Sequence, residues 1–371
     1  MKIAVFSTRA YDRQFMAKIA AKSRAFSASH QLEFFDVHLR PDTVRVAEGY
    51  DAVCVFVNDV IDREVLERLY VGGVRLVALR CAGYNNVDLK AAQQIGITVV
   101  RVPAYSPEAV AEHTVALILA LNRKICRAYQ RVREGNFSLE GLVGFNLRDK
   151  TVGLVGTGRI GAAVARILGP GFGCNLLGFD PEPNQRCVEL GLKYVTLPEL
   201  VANSDIISLH APLAPSTSHL INDSTIAMVK NGVMLINTSR GGLIDTKAVI
   251  RAIKTGKIGS LGLDVYEEEA GLFFYDRSLE AISDDVFARL LTFPNVLITG
   301  HQGFLTQEAL ENIAQTTINN ILEYALTGTC CNEVVAADLI CSTGPKSKSS
   351  LAQPASDFSR PPNMSRHGNA T

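Results

Sequence analysis

The sequence predicts an α/β protein of two doubly wound domains with parallel sheets, the second inserted in the first. Three observations carry this. Short β-branched runs alternate with helical patterns from the N-terminus, a second such series opens at residue 151, and a glycine-rich turn marks its first strand–helix junction. The length agrees, because 371 residues at roughly 100–200 per domain make about two domains. A 47% apolar share suffices for a packed core.

In chain order, residues 3–6, 52–57, 76–79 and 98–101 read as strands, with amphipathic stretches at 13–22, 63–70 and 89–95 between them. A long apolar helix is expected to open at Pro107-Glu108 and run to about Asn122. Pro107 suits the first turn, where no N–H is needed, and Ser106 suits the N-cap. The second series places strands at 151–155, 175–179, 206–209, 233–237, 260–263 and 296–299, with a helix at 160–168. The closing helix, about 307–325, has no strand of that series left to cover, so it is assigned back to the first domain. The expected division is 1–103 plus 301–335 for the first domain, 104–300 for the second, inserted domain, and 336–371 for a tail. That tail holds seven Ser and four Pro with little apolar periodicity, so disorder is expected there.

Charge and cysteine content exclude several classes. Lys+Arg and Asp+Glu both number 37, so no global field attracts nucleic acid. The longest apolar run, 115–121, falls well short of the roughly 18 residues of a membrane span. The N-terminal run meets Arg9 and Asp12 too soon for a signal peptide and reads as a strand. The eight cysteines lack paired C-x-x-C spacing and no histidines fall as local ligand pairs, so no metal site is expected. The expectation is a soluble, cytoplasmic protein with reduced thiols and neither a nucleic-acid nor a membrane partner.

Gly156-Thr157-Gly158-Arg159-Ile160-Gly161 matches G-x-G-x-x-G. The pattern is weak alone, but here it follows a strand and opens a helix. Gly156 would allow the turn, Gly158 the approach of backbone to a pyrophosphate, and Gly161 close helix–strand packing. The phosphates would then meet the helix N-terminus. Asp180 ends the next strand, 19 residues beyond Gly161, where a carboxylate accepts from an adenosine ribose and repels a 2′-phosphate. NAD(H), not NADP(H), is the expected cofactor.

Ligands of open α/β sheets bind beyond the carboxyl ends of the strands. In the second series those ends carry His210-Ala211-Pro212, Thr238-Ser239-Arg240-Gly241, Asp264 through Glu269, and Gly300-His301-Gln302. A cation, carboxylates and imidazole thus share one sheet edge. Singly, each has a plain structural reading: a solvated loop arginine, an exposed acidic run at 267–269, a satisfied half-buried histidine.

Together these segments resemble the D-isomer-specific 2-hydroxyacid dehydrogenases, most closely the fermentative NAD-dependent D-lactate dehydrogenases. The resemblance also rests on Arg80-Cys81-Ala82-Gly83-Tyr84-Asn85-Asn86-Val87-Asp88, Val102-Pro103-Ala104-Tyr105-Ser106-Pro107, Leu272-Phe273-Phe274 and Gly300-His301-Gln302-Gly303-Phe304-Leu305-Thr306. It covers about residues 1–335. It implies two Rossmann-like, flavodoxin-like domains with the cofactor domain inserted in the catalytic one. It implies reduction of pyruvate to D-lactate, with Arg240 holding the substrate carboxylate, His301 the acid–base, and Glu269 orienting the imidazole. Glu269 is selected from 267–269 because the family's carboxylate falls five residues after Asp264. Asp264 and Thr238 would meet the nicotinamide, and Arg159, Ile160, His210, Ala211, Pro212, Thr217 and Ser239 would complete the NAD site. Amides of Ala82 and Gly83 would bind the carboxylate, with Tyr105 and Phe304 as pocket walls. The apolar helix around 110–121 would build a homodimer or homotetramer.

Two departures stand out: Glu269-Ala270 replaces the family's acidic-then-proline ending, and 169–173 is unusually glycine-rich. Two alternatives carry other functions, a reductase of bulkier keto acids such as phenylpyruvate, and an NAD-sensing co-repressor scaffold. A 3-phosphoglycerate dehydrogenase lacks support, since no regulatory domain is appended.

Overall fold

The computed structural model describes residues 1–336; the expected disordered tail, apart from Ala336, lies outside them. The first sheet comprises β1 (Lys2–Val5), β2 (Gln31–Phe34), β3 (Ala52–Val55), β4 (Leu76–Leu79) and β5 (Thr98–Val100), with α1 (Ala10–Lys22), α2 (Arg24–Ser29), α3 (Arg63–Val71) and α4 (Leu89–Ile95) between strands. Next come α5 (Pro107–Asn122) and α6 (Ile125–Arg133). The second sheet has β6 (Thr151–Val155), β7 (Asn175–Phe179), β8 (Lys193–Tyr194), β9 (Ile206–Leu209), β10 (Val233–Asn237), β11 (Ile258–Leu263) and β12 (Val296–Ile298). Its helices are α7 (Arg159–Arg166), α8 (Gln185–Glu189), α9 (Leu197–Asn203), α10 (Asp223–Met228), α11 (Thr246–Lys254) and α12 (Asp285–Leu291), and α13 (Gln307–Thr327) closes the fold.

Both sheets are parallel, ordered β2-β1-β3-β4-β5 and β12-β11-β10-β9-β6-β7-β8. The order reverses between β1 and β3 and between β6 and β9, which fixes a crevice at each sheet's carboxyl edge. β3, β4, β9 and β10 are buried throughout, as strands covered on both faces must be. Alternate side chains divide each sheet into two cores. Ile3, Val5, Leu76 and Ala78 meet α1 and, from α13, Ala314, Ile318 and Ile321. Ala4, Val53, Val77 and Leu79 meet α3 and α4. The chain therefore leaves the first domain after β5, builds the second, and returns through α13.

The structure differs from the sequence expectation in three places. β2 and β8 lie at sheet edges, and their short, half-polar runs carry no burial signal. α2 and α6 were not anticipated; α6 buries no residue and begins after Lys124, which adopts left-handed backbone and ends α5. The helix expected at 160–168 is α-helical only to Arg166, and a π turn over Ile167–Gly171 holds Pro170, whose missing N–H breaks the regular ladder. α5 runs as expected from Pro107 to Asn122, with Ser106 capping Ala109 N. Its apolar side packs within the second domain, where Ala111, Val115, Leu117 and Ile118 join Val152, Leu154 and Ile236; the sequence pattern suits such an intradomain core helix as well as a subunit contact. Large exposed apolar groups instead cluster on α6 and the segment after it: Ile125, Tyr129, Val132, Phe137, Leu139, Val143 and Phe145. Among the described residues no helix is long and apolar enough to cross a membrane.

Ile318 is fully buried between α13 and the first sheet. Ile318→Ala is expected to cost about 2–5 kcal/mol, read as a lower urea midpoint. An unchanged midpoint would contradict the docking of α13 as a stabilising contact.

Candidate active site

A cavity of about 390 Å3 opens at the carboxyl edges of the two sheets. The first domain contributes Phe56 after β3 and residues 80–84 after β4. The second contributes Ile160 at the head of α7, His210 and Pro212 after β9, residues 238–240 after β10, Asp264 after β11 and His301 after β12. Tyr105 and Phe304 come from the segments that join the two.

Arg240 and Gly83 face each other across this cavity. A Cβ on Gly83 would lie 2.1 Å from a guanidinium nitrogen of Arg240, so only glycine lets the guanidinium sit against this backbone. Arg240 Nη1 donates to its neighbour's carbonyl at Ser239, 2.7 Å away. The amides of Ala82 and Gly83 donate to no acceptor among the described residues. The carbonyl of Ala82 accepts from Arg101 Nη1 at 2.9 Å. A fork of N–H groups and adjacent open amides can bind one carboxylate from two directions.

Imidazole lines the same cavity. His301 Nδ1 is 2.9 Å from Glu269 Oε1, and Glu269 Oε2 accepts from the Tyr266 amide at 3.0 Å. The carboxylate is thus fixed at both oxygens, and the imidazole keeps Nε2 for another partner. His301 adopts left-handed backbone, φ 54°, rare for a non-glycine residue. Its amide donates to the Asp264 carbonyl at 2.8 Å. Asp264 is buried, and its carboxylate accepts from Thr299 Oγ1 at 2.5 Å, Gln302 N at 2.9 Å and Gly303 N at 2.8 Å. His113 of α5 stands 3.3 Å away. Burial pushes Asp264 upward, but the hydrogen bonds from His113, Thr299 and the Gln302 amide outweigh it and hold the carboxyl below its usual range. Beside Glu269 in the acidic run, Glu267 pairs with His219 and Thr246.

The glycine turn joins this cavity from the β6 side. Gly156 takes φ 92°, and a Cβ there would meet His210 C at 2.6 Å and Ala211 N at 2.7 Å. A Cβ on Gly161 would meet Gly156 O at 2.1 Å. Gly158 has only open space around it. Arg159 is exposed at the first position of α7, and Asp180 Oδ2 accepts from Thr157 N at 2.7 Å, so the carboxylate braces the turn. These groups fit a dinucleotide: a helix N-terminus, an uncrowded glycine and a carboxylate at the end of β7. Burial lowers His210 to about 4, so its imidazole is neutral. Its Nε2 meets Ser208 Oγ at 2.9 Å, while its buried Nδ1 has no partner among the described residues. That orphan is a ready contact for a ligand.

Some expected residues serve the framework directly. Thr217 Oγ1 donates to Pro212 O at 2.7 Å and accepts from Ala214 N, so it closes its own loop and does not line the cavity. Ser239 Oγ donates to Ala211 O at 2.6 Å, and Thr238 Oγ1 meets Thr114 Oγ1 at 2.8 Å. Tyr105 and Phe304 stack edge to face at 6.4 Å; burial, opposed by Arg240, pushes the Tyr105 phenol up to about 12, so it stays protonated. Sequence reasoning assigned no role to Phe56, Arg80, Tyr84 or Arg101, all of which line the cavity. The signal was available: inspecting strand ends in the first sheet, as in the second, finds Phe56 after β3 and Arg80 after β4.

A family model described as "D-isomer specific 2-hydroxyacid dehydrogenase, NAD binding domain" matches residues 115–303. The chain is 55% identical over 335 residues to a D-lactate dehydrogenase of Escherichia coli, covering 90% of this chain and all of that one. It is 58% identical to a 2-hydroxyacid dehydrogenase homolog of Haemophilus influenzae, covering 90% and 99%. The apo-structure of D-lactate dehydrogenase from Escherichia coli superposes with a TM-score of 0.80 at 53% identity, over 90% of this chain and 100% of that one.

The two glycine environments predict different losses. Gly158→Ala, in open space at φ −62°, should weaken NADH binding by about tenfold or more at unchanged melting temperature. Gly161→Ala should lower both. Fluorescence titration with NADH beside a melting curve checks this; equal NADH affinity in Gly158→Ala would contradict phosphate approach at that turn.

Proposed function

The chain belongs to the D-isomer specific 2-hydroxyacid dehydrogenase family and is an NAD-binding enzyme, and we propose that it reduces pyruvate to D-lactate with NADH. The observation that carries this reading is the convergence of Arg240, the Gly83 backbone and the Glu269-paired His301 on one cavity. A substrate with a carboxylate beside a keto group needs that sequence of partners, an anion clamp and then a proton donor.

In this reading Arg240 and the amides of Ala82 and Gly83 hold the carboxylate, while the guanidinium polarises the adjacent carbonyl. NADH, when bound, supplies hydride to the keto carbon. His301 gives its Nε2 proton to the carbonyl oxygen, and in oxidation of the alcohol the same nitrogen takes it back. Glu269, at Nδ1, orients the ring and leaves Nε2 for the substrate. Phe56 closes on Phe274 at 5.4 Å and on Phe304 at 5.8 Å, and Tyr105 closes the remaining side. These rings favour a methyl-sized side chain on the keto acid over a benzyl group. Asp180 favours NADH over NADPH, because a 2′-phosphate would meet its carboxylate.

The assay is NADH oxidation at ~340 nm, the absorbance of the reduced nicotinamide, with pyruvate, phenylpyruvate and NADPH in parallel and a stereospecific assay of product. Fast turnover of pyruvate giving D-lactate supports the reading; NADH binding without turnover of any keto acid would sink it. Arg240→Lys keeps the charge and loses the fork, and kcat/KM should fall on the order of 100-fold or more. His301→Ala should lose about 10²–10⁴-fold in kcat while NADH affinity holds.

The expected homo-oligomer fits the exposed apolar surface of residues 125–145 better than the buried side of α5. Exposed apolar groups in this number mark a protein surface, and a second copy of the chain is the occupant we assign. Sedimentation should show a dimer or tetramer that Phe137→Asp with Leu139→Asp dissociates; a monomeric wild-type chain would refute it.

A further inference from the structure

Outside the active site, two adjacent thiols and a carboxylate converge at the end of α13. Gly328 takes left-handed backbone, φ 70°, as the C-cap of the helix, and turns the chain back along its last turns. This brings Cys330 and Cys331 beside Glu323. The carboxylate is aimed: Oε1 accepts the Cys331 amide at 2.9 Å, and Oε2 lies 3.2 Å from Cys331 Sγ and 3.5 Å from Cys330 Sγ. One ligand atom from each residue falls within 4.8 Å of the others.

We propose that Glu323, Cys330 and Cys331 form a binding site for a thiophilic divalent cation of the Zn2+ class. The spacing fits. With Zn–S about 2.3 Å and Zn–O about 2.0 Å, a tetrahedral centre sets each S···O edge at about 3.5 Å, close to the two separations found here. Two thiolates and a carboxylate supply three ligands, leaving a fourth position for water on the exposed Cys331 side. On binding, each thiol gives its proton to solvent and no electron moves.

The site sits where it can brace the first sheet. Beyond Cys331 the chain pairs with β5, through the Val100–Glu333 bridge and the Val334 amide on the Val99 carbonyl. Asn332 Nδ2 meets Asn320 Oδ1 at 2.8 Å, and Asn320 Nδ2 meets Arg101 O at 2.8 Å. Arg101 in turn holds Ala82. A cation would fasten this segment to α13.

The test titrates Co2+ into the full, reduced chain and follows the near-ultraviolet thiolate-to-cobalt charge-transfer band, with Zn2+ as competitor and a parallel melting curve. The expected result is a band saturating at one Co2+ per chain, displaced by Zn2+, with a melting temperature that rises with Zn2+. Cys331→Ser should abolish the band and the shift, and Glu323→Gln should weaken both. Cys126→Ser should leave them intact. Unchanged NADH affinity in Cys331→Ser shows that the variant is folded. Absence of a band in the wild-type chain, its survival in Cys331→Ser, or its loss in Cys126→Ser would each overturn the proposal.

Discussion

The buried carboxylate of Asp264 is the constraint on which the site depends. Its oxygens take the Thr299 hydroxyl and the Gln302 and Gly303 amides, and so close the chain leaving β12 into a tight turn. That turn forces His301 into left-handed backbone and aims its ring at Glu269. It also carries Phe304 into the core of the first domain, where it packs with Phe56. One ionised group thus links β11, β12, the His301–Glu269 pair and the chain's return to the first sheet. A buried carboxylate with this many donors stays charged because the donors replace its water shell.

A second buried ion does comparable service in the first domain. Arg80, 1% exposed, meets Asp12 at 3.1 Å, the Ser7 carbonyl at 2.7 Å and the ring of Phe56, 4.9 Å to the centroid. Asp59 gathers the Ser7 hydroxyl and the Leu39 and Phe56 amides. These contacts fix the ends of β1, β3 and β4 together, which sets where Phe56 and the Ala82-Gly83 turn stand. Arg80 Nη1 has no partner among the described residues, and Arg80, Arg101 and Arg240 all line the cavity. An anionic substrate is the natural complement of such a pocket.

The glycine turn and the contact of Gly83 with Arg240 depend on the same economy of space. Gly161 and Gly156 touch each other's backbone, Gly156 touches residues 210–211, and Gly83 touches Arg240. Each contact lets a backbone segment stand where a side chain would otherwise be. The crossover between β6 and β9 creates the crevice, and glycine keeps it open.

The domains' strands, the α5 cap at Ser106, the glycine turn and the return of α13 were legible in the sequence. Local periodicity and turn chemistry encode these directly. The edge strands β2 and β8 and the short helices α2 and α6 were not, because they bury too little to leave a pattern. Arg240, Glu269 and His301 could be named from motif order, but nothing local shows that Glu269 rather than Glu267 reaches the imidazole. That depends on the path of the chain between β11 and the turn at Glu269–Gly271. Likewise nothing local shows that the Thr217 hydroxyl, expected at the NAD site, donates to the Pro212 carbonyl of its own loop. The sequence by itself determined the fold class and the kinds of chemistry present, since both follow from short-range pattern. Only the tertiary structure decided which groups meet, because distances between strand ends are set by packing across two sheets and not by spacing along the chain.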